Sequence, residues 1–161
     1  MLLITTIFMA NTYTQLYVQV IFAVKYRQGI IASGSKDELY QYITGTVQHN
    51  KHKLISINGM SDHIHILIGI HPTQSLSDLI QDIKTSSSKW INDMKFIKGK
   101  FEWQSGYGAF TYGKSQIQIV AAYIENQEKH HSKKTFKEEY IEFLKKFEID
   151  YNENYIFKDL I

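Results

Sequence analysis

Two short stretches of this chain carry residue types that could do chemistry together. The run Asp62-His63-Ile64-His65-Ile66-Leu67-Ile68 sets two histidines two apart among aliphatic residues. In an extended strand, residues two apart share a face, so His63 and His65 project together while Ile64 and Ile66 point the other way. Two imidazoles on one rigid strand are a bidentate start for a divalent cation. Taken alone, such a pair is more often two half-buried or surface histidines on a sheet face. Farther on, Gln116-Ile117-Gln118-Ile119-Val120-Ala121-Ala122-Tyr123-Ile124-Glu125-Asn126-Gln127 places Tyr123 and Gln127 four apart, hence on one helical face, roughly in line with Gln116 and His130. Ile117, Val120, Ala121 and Ile124 form the adjoining apolar stripe. A tyrosine on the rim of such a stripe is usually a core-edge residue; here it is paired with an amide one turn later that could serve as a third metal ligand. No carboxylate stands out as a base, and strand alternation points Asp62 away from the histidines.

These groups need elements to hold them. Residues 13–24 are β-branched and aromatic enough for a strand, and residues 36–50 carry a helical pattern through Leu39, Ile43 and Val47. Leu54–Asn58 and His63–Ile70 read as a hairpin through Gly59-Met60-Ser61. Pro72 stops the second of these strands, and an amphipathic helix follows from Ser75 to about Met94. Phe101–Gln104 and Ala109–Tyr112 are extended, with Gly106 and Gly108 between them. Ser115 can cap a helix to roughly His130, and a last helix spans about 136–147. The order β-α-β-β-α-β-α predicts an α+β fold: a ferredoxin-like antiparallel sheet with helices packed on one face.

Composition bounds the rest. The 161 residues suit one domain with a real core, and 43% hydrophobic with 21% charged residues is an ordinary globular balance. No cysteine is present, which excludes thiolate metal sites and a cysteine nucleophile. A net charge of +2 does not announce a nucleic-acid binder, so any basic surface is local. Arg27 is the sole arginine among the 18 basic residues, and lysine suits phosphate contacts better than bidentate base reading. The N-terminal apolar run lacks a basic flank and is too short to span a membrane. Met9 is the expected start, with residues 1–8 upstream of it; residues 1–10 are read as an N-terminal extension, 11–148 as the single domain and 149–161 as a tail.

The spaced motifs resemble the HUH-type single-tyrosine transposases, which mobilise insertion sequences as single-stranded DNA. His63-Ile64-His65 matches the paired histidines and Tyr123 with Gln127 matches the tyrosine helix. Residues 16–27 are similar to the family's first strand, Leu79–Asn92 to its long helix, and Phe101–Phe110 to the stretch before the tyrosine. The resemblance covers about residues 11–148. It implies the HUH endonuclease fold and a Mg²⁺ or Mn²⁺ ion on His63, His65 and Gln127. It also implies attack by Tyr123 to leave a 5′-phosphotyrosine and a free 3′-OH, hairpin-bearing DNA ends as substrate, a homodimer, and a bacterial-type cytoplasmic setting.

Candidate phosphate donors are Lys84, Ser86, Ser87, Ser88 and Lys89 on the long helix, with Lys25 and Arg27 at the end of the first strand. Any one of them is as well explained by a solvated face. His130 to Lys134 reads as an exposed hinge. A replication nickase would carry extra domains. A non-catalytic nucleic-acid-binding module on the same sheet would give His63, His65, Tyr123 and Gln127 no joint role, and a small-molecule metalloenzyme or sensor using the same histidines would lack an acidic third ligand.

Overall fold

The computed structural model describes residues 12–25, 31 and 33–156; the expected extension with Met9, and Arg27, lie outside the described residues. Four strands, β1 (Tyr17–Ala23), β2 (Lys53–Gly59), β3 (His63–Gly69) and β4 (Gly108–Tyr112), pair antiparallel in the order β2-β3-β1-β4. Helix α1 (Ser33–His49) joins β1 to β2, and α2 (Leu76–Met94) joins β3 to β4. This is the ferredoxin-like arrangement read from the sequence. The central strands β1 and β3 are buried along nearly their whole length, which is why both read as almost unbroken apolar runs.

One face of the sheet carries Val18, Val20, Phe22, Ile64, Ile66 and Ile68, packed against Leu39, Ile43 and Val47 of α1 and Leu79, Ile80 and Ile83 of α2. The Ser75 hydroxyl accepts the Asp78 N–H at 3.1 Å and starts α2 where the sequence predicts. The other face carries the histidines. There Leu67 meets Ile117, Val120 and Ile124 of α3 (Ile117–Glu125). Beside it, Ile21, Ala23 and Phe110 meet Phe136 and Leu144 of α5 (Phe136–Lys146). The apolar stripe of the tyrosine helix seats it on the sheet as expected.

The expected single helix from Ser115 to about His130 is instead a 3-10 turn (Lys114–Gln116), then α3, then α4 (Gln127–His131). The break falls at Asn126, with φ −96° and ψ 26°. Its side-chain amide donates to the Ala122 carbonyl at 2.8 Å, while its backbone N–H is shared between the Ala122 and Tyr123 carbonyls at 3.2 and 3.3 Å. Gln116, expected in line with Tyr123, instead turns back to accept the Gly113 N–H at 3.3 Å. Within the expected tail, Glu153–Ile156 form a short helix, α6. Among the described residues no helix is long and apolar enough to cross a membrane.

Candidate active site

The β2–β3 turn fixes the histidines. A Cβ on Gly59 would lie 2.1 Å from the His63 carbonyl oxygen, so only glycine allows this approach. Across the sheet, Ala23 stands opposite His63 and Ile21 opposite His65. His63 Nδ1 donates to Asp62 Oδ1 at 2.7 Å, which corrects the expectation that Asp62 stands apart: it sits in the bend before the strand, where alternation does not apply. His65 Nδ1 accepts from the Gln19 amide at 2.9 Å, and Gln19 accepts from the Tyr112 hydroxyl at 2.8 Å.

The tyrosine helix is held over this strand at its end, where Asn58 donates to the Glu125 carbonyl at 3.0 Å. Gln127, fully buried, places Oε1 3.2 Å from His63 Nε2 and 3.0 Å from His131 Nε2. Tyr123 is half-buried, with its ring centroid 6.2 Å from that of His65 and 4.3 Å from that of His130, on which it stacks. His63, His65, Tyr123 and Gln127 therefore meet, although the 47 residues from 70 to 116 separate the strand from the helix. A cleft of about 240 Å³, lined by Gln19, Tyr112, Val120, Phe143 and Lys146 among others, opens beside Tyr123.

Two further residues belong to this cluster, and the sequence reading placed neither there. Glu139 Oε1 accepts from His65 Nε2 at 2.9 Å and from His131 Nε2 at 3.2 Å. Its Oε2 accepts from the Tyr123 hydroxyl and from Gln127 Nε2, the latter at 3.4 Å. His131, expected in an exposed hinge, folds inward with its Nδ1 2.9 Å from the Lys134 carbonyl. One ligand atom each from His63, His65, His131 and Glu139 lie within 4.8 Å of one another. A signal was present in the spacing of Phe136, Glu139, Tyr140 and Phe143. That is the buried stripe of α5, and a carboxylate in such a stripe needs partners.

The electrostatics follow from burial and this network. Burial pushes the His65 imidazole down to about 4, against a smaller upward pull from Glu139. Burial by itself would raise Glu139, but hydrogen bonds from His131 and His65 bring it well below the usual carboxylate range. Burial would lower His131, and Glu139 holds it above its ordinary value instead. Burial, then Glu139, pushes the Tyr123 hydroxyl upward. Without a cation, then, the site is an ionised carboxylate beside a protonated tyrosine.

The expected phosphate donors do not converge here. Ser87 is fully buried; its hydroxyl donates to the Ile83 carbonyl at 2.5 Å and accepts the Trp103 indole N–H at 2.9 Å, so the expectation of a DNA contact gives way to a structural one. Lys84 Nζ likewise is tied to the Gln104 and Gly106 carbonyls, at 2.8 and 2.5 Å. Lys89 pairs with Asp93 at 2.5 Å on the exposed side of α2, and Lys25 with Glu102 at 2.9 Å.

A family model for IS200-like transposases matches residues 12–127. The chain belongs to the IS200-like transposase family. The ISDra2 transposase TnpA of Deinococcus radiodurans is 25% identical over 118 residues, covering 70% of this chain and 84% of that one. The transposase for insertion sequence element IS200 of Salmonella typhimurium is 26% identical over 124 residues, 74% of this chain and 81% of its own. The fold matches that of a transposase candidate from Deinococcus radiodurans R1, with TM-score 0.59, 24% identity, and 74% and 95% of the two chains covered. It also matches a REP-associated tyrosine transposase bound to a REP hairpin, with TM-score 0.58, 12% identity, and 76% and 73% covered. The shared segment of this family member includes His63, His65 and Tyr123 and ends on Gln127; His131 and Glu139 lie beyond it.

Proposed function

We propose that this transposase cleaves and rejoins single-stranded DNA through Tyr123, beside a divalent cation held by His63, His65 and Gln127. The observation that carries the reading is the facing pair His63 Nε2 and Gln127 Oε1, 3.2 Å apart. Asp62 accepts a hydrogen bond from His63 Nδ1–H, and Gln127 turns its NH₂ toward Glu139. A neutral imidazole nitrogen and an amide oxygen then aim lone pairs at one another, an arrangement a cation relieves. Mixed nitrogen and oxygen donors suit Mn²⁺, and the oxygen donors suit Mg²⁺. Such an ion polarises a phosphate and offsets its charge.

The chain's own part begins with Tyr123 Oη attacking phosphorus. The bond from phosphorus to the 3′ oxygen of the preceding nucleotide breaks, and the 5′ phosphate stays esterified to Tyr123. The tyrosine gives up its proton to solvent and the leaving 3′ oxygen takes one up. One phosphodiester replaces another, so a second 3′-OH can reverse the step and join new ends. The stack on His130 and the seat of α3 on Leu67 orient the ring. Hairpin-bearing ends as substrate are supported by the structural relative bound to a REP hairpin, and a homodimer by family resemblance. Residues 11–148 are taken as the working domain.

The test is a denaturing gel of labelled single-stranded DNA from the flanks of the gene, incubated with Mn²⁺ and protein. A covalent adduct that Tyr123→Phe abolishes is expected, with His63→Ala and His65→Ala losing cleavage and keeping hairpin binding. Equal behaviour of wild type and Tyr123→Phe overturns the nucleophile, and equal cleavage by the histidine variants overturns the metal assignment.

A further inference from the structure

In this arrangement the site is shut. His63, His65 and Gln127 are fully buried, and Phe136 of α5 lies flat on His63, centroids 4.0 Å apart and planes 10° apart. A phosphodiester that reacts must meet the Tyr123 hydroxyl on one side and the ligand cluster on the other. One group in the structure does both. Glu139 sets Oε1 2.9 Å from His65 Nε2 and 3.2 Å from His131 Nε2, while Oε2 accepts from the Tyr123 hydroxyl. Two anionic oxygens on one carbon thus lie where a reacting phosphodiester would have to lie, against the Tyr123 hydroxyl on one side and against His65 Nε2, which would hold the cation, on the other.

We propose that the Glu139 carboxylate fills the subsite of the scissile phosphate, and that the N-terminal half of α5 is a built-in pseudosubstrate that DNA displaces. The inference rests on the proposed reading of Tyr123 and the histidines. Two further observations bear on it. The match to the family model ends at residue 127, before the covering helix begins. The helix is also divided in its attachments: Phe136 and Glu139 face the site, whereas Phe143, which also edges Tyr123 at 5.8 Å, stacks on Phe110 of β4 at 5.2 Å and Phe147 beyond the helix end lies tilted against Phe110 at 4.8 Å. The C-terminal half can stay docked while the first turns lift. That first turn is pinned by Thr135, whose hydroxyl accepts the Glu138 N–H at 3.2 Å and whose N–H donates to Glu138 at 2.8 Å.

The opposing view makes Glu139 a working ligand that stays in place during the reaction, and the two views predict opposite signs. Thr135→Ala alters no residue of the cluster and loosens the first turn of α5. If α5 is a pseudosubstrate, this variant raises the rate of adduct formation with a random-sequence single-stranded DNA pool and Mn²⁺ by about five-fold, the effect of losing one N-cap. Glu139→Ala raises it also, and the pool speeds hydrogen exchange of the amides of residues 136–140 in the wild type. Slower or unchanged adduct formation in Thr135→Ala overturns the inference, whatever Glu139→Ala does to folding. If wild type forms no adduct but DNA still speeds exchange in α5, the pseudosubstrate stands and the tyrosine chemistry fails. An adduct formed with α5 exchange unaltered has the reverse meaning.

Discussion

Replacing Asp62 with asparagine tests how the protein prepares His63 for a cation. Asp62 Oδ1 accepts the His63 Nδ1 proton at 2.7 Å, with Asp62 largely covered and His63 fully buried. That bond places the proton on Nδ1 and leaves the Nε2 lone pair facing Gln127 Oε1. An asparagine has nearly the same shape, but its NH₂ can donate to Nδ1 and stabilise the other tautomer, with the proton on Nε2 where the cation would sit. Binding must then restore the first tautomer and forgo a charge-assisted hydrogen bond, a loss of about 2 kcal/mol. That is roughly a thirty-fold weaker Mn²⁺ affinity, within the about 10–100-fold range for outer partners of metal-ligating histidines. Isothermal titration with Mn²⁺ reads this directly, with circular dichroism to confirm the fold. Equal Mn²⁺ affinity in folded Asp62→Asn and wild type would refute the tautomer argument.

Other consequences are as direct. Ser87→Ala leaves the Trp103 indole N–H buried without its partner, so the midpoint of thermal unfolding should drop by the equivalent of about 1–3 kcal/mol. Its single-stranded DNA affinity should stay unchanged; a DNA-binding loss without a stability loss would restore the phosphate role. Ile124→Ala empties a fully buried contact beneath the tyrosine helix and should cost about 3 kcal/mol in urea unfolding, whereas less than ~1 kcal/mol would mean that α3 is not packed on Leu67. In EDTA, stability should peak near pH 6.5. His65, held down to about 4 by burial, stays neutral in the fold while the unfolded chain binds its proton, so stability falls as pH drops from about 6.5 toward 4. His131 is held up, so its contribution is complete below its unfolded value and fades as pH rises through its folded one. A melting temperature flat from pH 4 to 8, measured by calorimetry, would contradict both shifts.

Much of the site was legible because it rests on local rules. Strand alternation placed His63 and His65 together, and the four-residue helical spacing placed Tyr123 over Gln127 even though Asn126 interrupts the helix. Strand order followed from element order. What escaped were contacts between parts of the chain with no periodic relation to the strand. Glu139 had no assigned role in the sequence, and it reaches the site because Phe136 and Phe143 seat that side of α5 on the sheet. Asp62 escaped because alternation was extended one residue past the strand, into the bend. Ser87 and Lys84 were taken for surface groups because residue type alone does not tell a phosphate donor from a hydroxyl serving Trp103 or an ammonium serving two carbonyls.

The central claim is that Tyr123 becomes covalently joined to the 5′ side of a cleaved DNA strand. Peptide mass mapping after reaction with Mn²⁺ and flanking single-stranded DNA, followed by nuclease trimming, measures that bond at its residue. The account predicts one nucleotide-bearing peptide, containing Tyr123, with the mass of a 5′-phosphoryl nucleotide added. Cleaved DNA with every Tyr123 peptide unmodified, or with the nucleotide on another residue, would contradict it.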